Sequence, residues 1–280
     1  GVTDCMWSRW LAGASLAAAA SAAPHASTSP ADDGEAACLL RTLAASFAVC
    51  VLLCLLWRHL LAPRLAAYAR AGASERIFLA ASFVSLYPAC TAPFLAYEAA
   101  RALPLDDLAL VMTAVPSRGA LYAVGISCGY MLYDTLYCLY YDEMRNPLII
   151  GHHVLSVLVW PYAVLQHRGL VLILFYVITE ITNIGQHCRM IMLKLGYEKT
   201  KLYAVNGVLW VIAFFIVRIL PSPYMLHKLA YASYDAFSDF DFWLCVLTTP
   251  LPFVLNAYWF CLLVNGVIKF FKKKAASKHE

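Results

Sequence analysis

Two histidines stand side by side at His152-His153, and carboxylates lie within otherwise apolar stretches at Asp134 and Glu180. A histidine next to a carboxylate is an arrangement for general-base or nucleophilic work, because the carboxylate fixes the tautomer of the imidazole. In a low-dielectric pocket such a pair can activate an amine or hydroxyl toward an acyl donor. Tyr130, Tyr137 and Tyr141 flank Asp134 at helical spacing, and Tyr176, Glu180, Asn183 and His187 recur at i, i+4, i+7 and i+11, on one helical face. Asn206 and Asn256 each interrupt a further apolar run. The residue types leave three readings open. One is catalysis by His152, His153, Glu180 and Asp134. A second is a non-catalytic lipid-binding site that also uses Tyr130, Tyr137, Tyr176, Asn183, Asn206 and Asn256. The third is an interhelical hydrogen-bond network that serves packing alone.

The elements that must carry these residues are membrane helices. Of the 280 residues 62% are hydrophobic and 14% charged, whereas a soluble domain needs about 25% charge to wet its exterior. Runs near the ~20 residues that cross a hydrocarbon core fall at 42–61, 77–97, 119–141, 148–166, 169–188, 202–222 and 242–268. The spacing therefore predicts an all-α membrane protein of about seven spans. On an ideal rise of ~1.5 Å per residue, His152 and Asn206 lie roughly 6 Å inside one end of the bundle, Asp134 about 10 Å and Glu180 about 12 Å. Groups from four helices share one slab, as a single site would require.

Lysine and arginine set the orientation. Arg58, Arg64, Arg70, Arg76, Arg145, Arg189, Lys194, Lys199, Lys201, Lys269, Lys272, Lys273, Lys274 and Lys278 alternate onto one side. Arg9, Arg41, Arg101, Arg118, Arg168, Arg218 and Lys228 fall to the other. The basic side is expected to be cytosolic and to include the C-terminus. Residues 1–37 form an Ala/Ser/Pro-rich tail, in which Trp7 to Ala23 is readable as a cleaved signal peptide or as low-complexity sequence. The first transmembrane helix and a basic loop are expected over 38–75, and a basic tail over 273–280 that acts as an electrostatic stop against anionic lipid.

Several classes are disfavoured. The ten cysteines form no CxxC pair and mostly sit inside apolar runs, as small packing residues do. The charge is scattered between apolar runs, not gathered into a nucleic-acid patch. One HH among eight histidines is too few for a di-iron hydroxylase, and residues 242–268 hold no lysine for a retinal. The third span does not end in D/E-R-Y and the seventh lacks N-P-x-x-Y, as a G-protein receptor would usually have. A transporter stays open, although no matching repeats are visible.

At these motifs the chain resembles the TLC-domain family, which includes ceramide synthases, translocating-chain-associated membrane proteins and the endoplasmic-reticulum protein of a neuronal ceroid lipofuscinosis. The carriers are Gly129-Tyr130-x-x-x-Asp134, His152-His153, Glu180-Ile-Thr-Asn183 followed by Arg189, and Val205-Asn206-Gly207-Val208-Leu209 leading to Phe214-Phe215-Ile216-Val217-Arg218. The last two are most similar to the TLC domain-containing protein 4 branch. The resemblance covers about residues 76–272 and implies a six-helix barrel plus one N-terminal helix, in the endoplasmic-reticulum membrane, around a cavity for a lipid chain. In ceramide synthases the paired histidines are followed by D-x-x-D. Here Glu180 and Asn183 stand at those two places, with Gln186 and Arg189 nearby. The resemblance implies a role in membrane lipid homeostasis. Its enzymatic alternative is an acyl-CoA-dependent N-acyltransferase of sphingolipid (ceramide) metabolism, and a third is a cargo receptor or translocon-associated protein. No metal and no bound cofactor is expected, with acyl-CoA as co-substrate if the chain is an enzyme. The implied partners are a membrane lipid or acyl chain and the bilayer, with a homodimer left open and no nucleic acid.

Overall fold

The computed structural model describes residues 33–276, with side chains to residue 269. The expected signal peptide and the last residues of the basic tail therefore lie outside the described residues. All regular elements within them are helical. α1 (Asp33–Leu56) runs on through a π turn (Trp57–Leu61) and a 3-10 turn (Ala62–Arg64). The short α2 (Ala66–Arg70), α3 (Ala73–Ala100), α4 (Arg118–Tyr140) and α5 (Pro147–Leu165) follow. α6 (Leu170–Thr179) meets α7 (Asn183–Lys194) at a 3-10 turn, Glu180–Thr182. α8 (Lys201–Phe214) passes through a π turn, Phe215–Ile219, toward α9 (Ser222–Tyr231), and the chain ends with α10 (Asp239–Thr248) and α11 (Pro250–Ala276).

Six helical segments are long and apolar enough to cross a membrane: Asp33–Arg64, Ala73–Ala100, Pro147–Leu165, Leu170–Lys194, Lys201–Tyr231 and Asp239–Lys269. α4 is the seventh long helix, at 23 residues. Its tyrosines, glycines and Asp134 lower its hydropathy, and the burial of most of its residues explains why it tolerates them. The chain is a multi-pass membrane protein.

Several boundaries differ from the sequence reading, each for a local reason. The first helix starts at Asp33, not at residue 42. Asp33 and Glu35 complement the positive end of the helix dipole, and Glu35 Oε2 meets His167 Nε2 at 2.9 Å, tying that end to the α5–α6 loop. The fifth span is two helices, because Thr179 and Thr182 donate their hydroxyls to the carbonyls of Tyr176 and Thr179 and tighten the turn between them. The sixth runs on to Tyr231, well past residue 222. In the seventh, Pro250 supplies no N–H donor and separates α10 from α11.

α1 docks on α4 through a stripe of small residues. A Cβ added at Gly125 would lie 2.8 Å from Thr42 Cβ, and one at Gly129 would lie 2.4 Å from the Leu43 carbonyl oxygen. The GxxxG spacing lets the two backbones touch, and Ser46 then donates to the Ile126 carbonyl at 2.8 Å. α4 packs in turn on α3 and α5, α3 on α6 and α7, α7 on α8, and the π turn after α8 on α11. The result is a ring of six spans with α1 outside it. Its closing seam, between α5 and α11, is not closely packed, and two hollows adjoin it.

Candidate functional site

The ring encloses a cavity of about 510 Å³. On its wall are Asp134 from α4, His152 and His153 from α5, Glu180 at the α6–α7 break, and Asn256 from α11. α4 brings Ser127, Tyr130 and Asp134 to one face at helical spacing. Tyr130 shares a 2.8 Å hydrogen bond with Ser85 of α3, so its ring is fixed, and His153 meets it edge-on at 6.0 Å between centroids.

The paired histidines differ. His153 Nδ1 lies 3.3 Å from Asp134 Oδ2, both side chains being about nine-tenths buried. The approach is close but badly aligned, so Nδ1 makes no hydrogen bond to the protein. His152 has instead an edge-to-face contact at 6.1 Å with Trp259 of α11. Glu180 sits where the helix breaks. Its Oε2 accepts from Ser127 Oγ at 3.0 Å, whereas Oε1 is buried without a protein partner. Trp210 Nε1, from another lining residue, is likewise unbonded.

The central cation of the site is Arg218, which sequence reasoning placed at the outer end of the sixth span. Because that span continues to Tyr231, Arg218 falls inside it, only 7% exposed. The π turn at 215–219 turns the guanidinium inward, as single-turn π bulges at functional sites do. Nε donates to Thr182 Oγ1 at 2.8 Å, Nη1 to Asn256 Oδ1 at 2.9 Å and Nη2 to Asn183 Oδ1 at 2.8 Å. One side chain thus ties α8, the α6–α7 break and α11 together, and it lines the same cavity as Glu180. An arginine inside a long apolar run was a signal in the sequence, hidden only by ending the span at 222.

Of the residues expected in the site, Asp134, His152, His153, Glu180, Tyr130, Tyr176, Asn183 and Asn256 line the cavity. Two do not. Tyr137 points toward the basic end, where it donates to the Ile77 carbonyl at 3.1 Å and accepts from Arg58 Nη2 at 2.8 Å. Asn206 donates Nδ2 to the Gly185 carbonyl at 2.8 Å and joins α8 to α7, as interhelical glue. Tyr176 lines the wall but spends its hydroxyl proton on the Thr249 carbonyl at 2.6 Å. Ser127, Trp210 and Arg218 are the members that sequence reasoning missed. For Ser127 the signal was its place seven residues before Asp134.

Fold and site together define a multi-pass membrane bundle with polar groups set inside an interior cavity. The family model described as TLC domain matches residues 73–265, and the chain belongs to the TLC-domain family. Among curated relatives, TLC domain-containing protein 4 A of Dictyostelium discoideum is 26% identical over 151 residues, which is 53% of this chain and 58% of that protein. The chain thus covers less than two thirds of that relative's length. No solved structure matches.

Proposed function

We propose that this chain is a TLC-domain protein of the endoplasmic-reticulum membrane that serves membrane lipid homeostasis by holding an acyl chain or lipid in its central cavity. The basic end of the bundle faces the cytosol. The head of the ligand meets Asp134, His152, His153 and Glu180, and its tail lies along lining residues deeper in the bundle, such as Trp160, Phe214 and Pro252. One observation carries this reading. Glu180 Oε1, His153 Nδ1 and Trp210 Nε1, from three segments around the same cavity, are buried and make no hydrogen bond to protein. Each orphaned buried polar group costs about 1–3 kcal/mol, so a ligand head that supplies partners recovers that cost on binding. Mass spectrometry of lipid extracted from protein purified in detergent tests it. The wild type should carry a defined lipid at near one per chain, reduced several-fold in Glu180→Leu of equal folded yield. A wild type with no lipid above the detergent background rejects the reading.

A second reading rests on the 3.3 Å distance between His153 Nδ1 and Asp134 Oδ2, a pair that a modest turn of the imidazole would align as a carboxylate-oriented base. In an acyl-CoA-dependent N-acyltransferase, a sphingoid amine attacks the thioester carbon. The C–N bond forms, the C–S bond breaks, and the amine proton passes through the imidazole to the departing thiolate. Glu180 would orient the amine. Palmitoyl-CoA and sphinganine given to the purified protein should then form ceramide, and His153→Ala of unchanged folded yield should not. Inert wild type removes this reading and leaves the first.

A further inference from the structure

Beside the main cavity the bundle has a second hollow of about 310 Å³. It runs along the α5–α11 seam, where the ring is not closely packed. Leu148, Gly151, Leu155, Val159 and Ala163 supply the α5 side, a stripe at i+3 and i+4 spacing. Leu244, Leu251 and Leu255 face them from α10 and α11. On α5 the lining extends from Pro147 to Ala163, about 24 Å of helix at ~1.5 Å per residue, most of the ~30 Å thickness of a hydrocarbon core. Two contacts bridge the seam at its ends. Tyr162 donates its hydroxyl to Asp241 Oδ1 at 2.8 Å, and His152 meets Trp259 edge-on. At the basic end of the slot, one residue before His152, a Cβ added at Gly151 would meet nothing within 4 Å.

The two hollows share a wall formed by Leu148, His152, Trp160, Tyr176 and Pro252. The wall matters because the main cavity has the polar groups and the slot is almost wholly apolar. At this depth in a bilayer the available apolar occupants are lipid chains and other helices, and a hollow of about 310 Å³ is too small for a helix about 10–12 Å across. We propose that the slot takes one hydrocarbon chain of a two-chain membrane lipid whose other chain lies in the main cavity, the fork of the lipid straddling His152. The inference builds on the lipid-holding reading above and narrows its ligand to a class, since a single-chain lipid would need only the main cavity.

The test uses the whole chain in detergent, washed free of loosely held lipid, with bound lipid identified and counted by native mass spectrometry. The probe is a vesicle of phosphatidylcholine spiked with palmitate, from which the protein is reloaded. Wild type should keep a two-chain lipid. Gly151→Phe combined with Val159→Phe, which fills the slot from α5, should lose it at least ten-fold yet still hold palmitate. Gly151→Leu alone grows into open space and should show a smaller loss in the same direction, so the test survives if the double variant does not fold. Wild type that keeps only palmitate, or filled variants that keep the two-chain lipid unchanged, overturn the inference and leave lipid binding intact. So does a dimer that the slot-filling substitutions dissociate, because a second copy would then cover the seam. Wild type that retains neither lipid overturns the underlying reading as well.

Discussion

Replacing Arg218 with methionine keeps the length and much of the apolar contact of the side chain while removing every donor. Three hydrogen bonds disappear, to Thr182, Asn256 and Asn183, all between 2.8 and 2.9 Å. Interhelical bonds in membranes average ~0.6 kcal/mol and reach ~1.7 kcal/mol, so the loss spans about 2 to 5 kcal/mol. The upper part of that range is expected, because Asn183 and Asn256 lose a charged donor inside the bundle and an orphaned buried acceptor adds its own cost. Arg218→Lys should recover less than half, since an ammonium keeps the charge but cannot fork to three acceptors at the α6–α7 break and on α11. The assay is steric-trap unfolding in bicelles, which returns an unfolding free energy within the membrane phase. A methionine variant within ~0.5 kcal/mol of wild type would show that the guanidinium does not hold α8, α11 and the α6–α7 break together.

Three further expectations are simpler. Gly129→Ala should destabilise the chain by about 1–3 kcal/mol, the usual cost of overpacking, because the new Cβ would lie 2.4 Å from the Leu43 carbonyl and force α1 away from α4. Gly151→Ala, facing open space, should change the same unfolding measurement by no more than ~0.5 kcal/mol. Asn206→Leu removes one bond to Gly185 and should cost ~0.6 kcal/mol without changing the retained lipid. Loss of lipid in that variant would place Asn206 in the site and contradict its role as packing glue.

How legible was this in the residues? Apolar run lengths placed the spans, and depth along each helix brought Asp134, His152, His153 and Glu180 to one level, because rise per residue converts position into depth. Depth alone does not determine azimuth. Tyr137 and Asn206 were at suitable levels, yet Tyr137 turns toward Arg58 and Asn206 toward Gly185, and only the packing of neighbouring helices decides that. Arg218 was misplaced for a different reason. The sixth segment is 31 residues long and contains a π turn, so a span drawn to bilayer length from its first residue stopped too soon. The slot beside α5 was invisible in the sequence, since within an apolar run nothing distinguishes Leu148, Leu155 and Val159 from residues that face lipid.

The account depends on a lipid chain lying inside the ring and not merely around it. A fatty acid with a diazirine near its tail, incorporated into membranes containing the wild-type chain and activated by light, reports this by peptide mapping. The predicted labels fall on cavity residues such as Trp160, Trp210 and Phe214. Labels confined to outward-facing positions such as Leu52, Leu158 and Leu209, with none on the cavity wall, would contradict it.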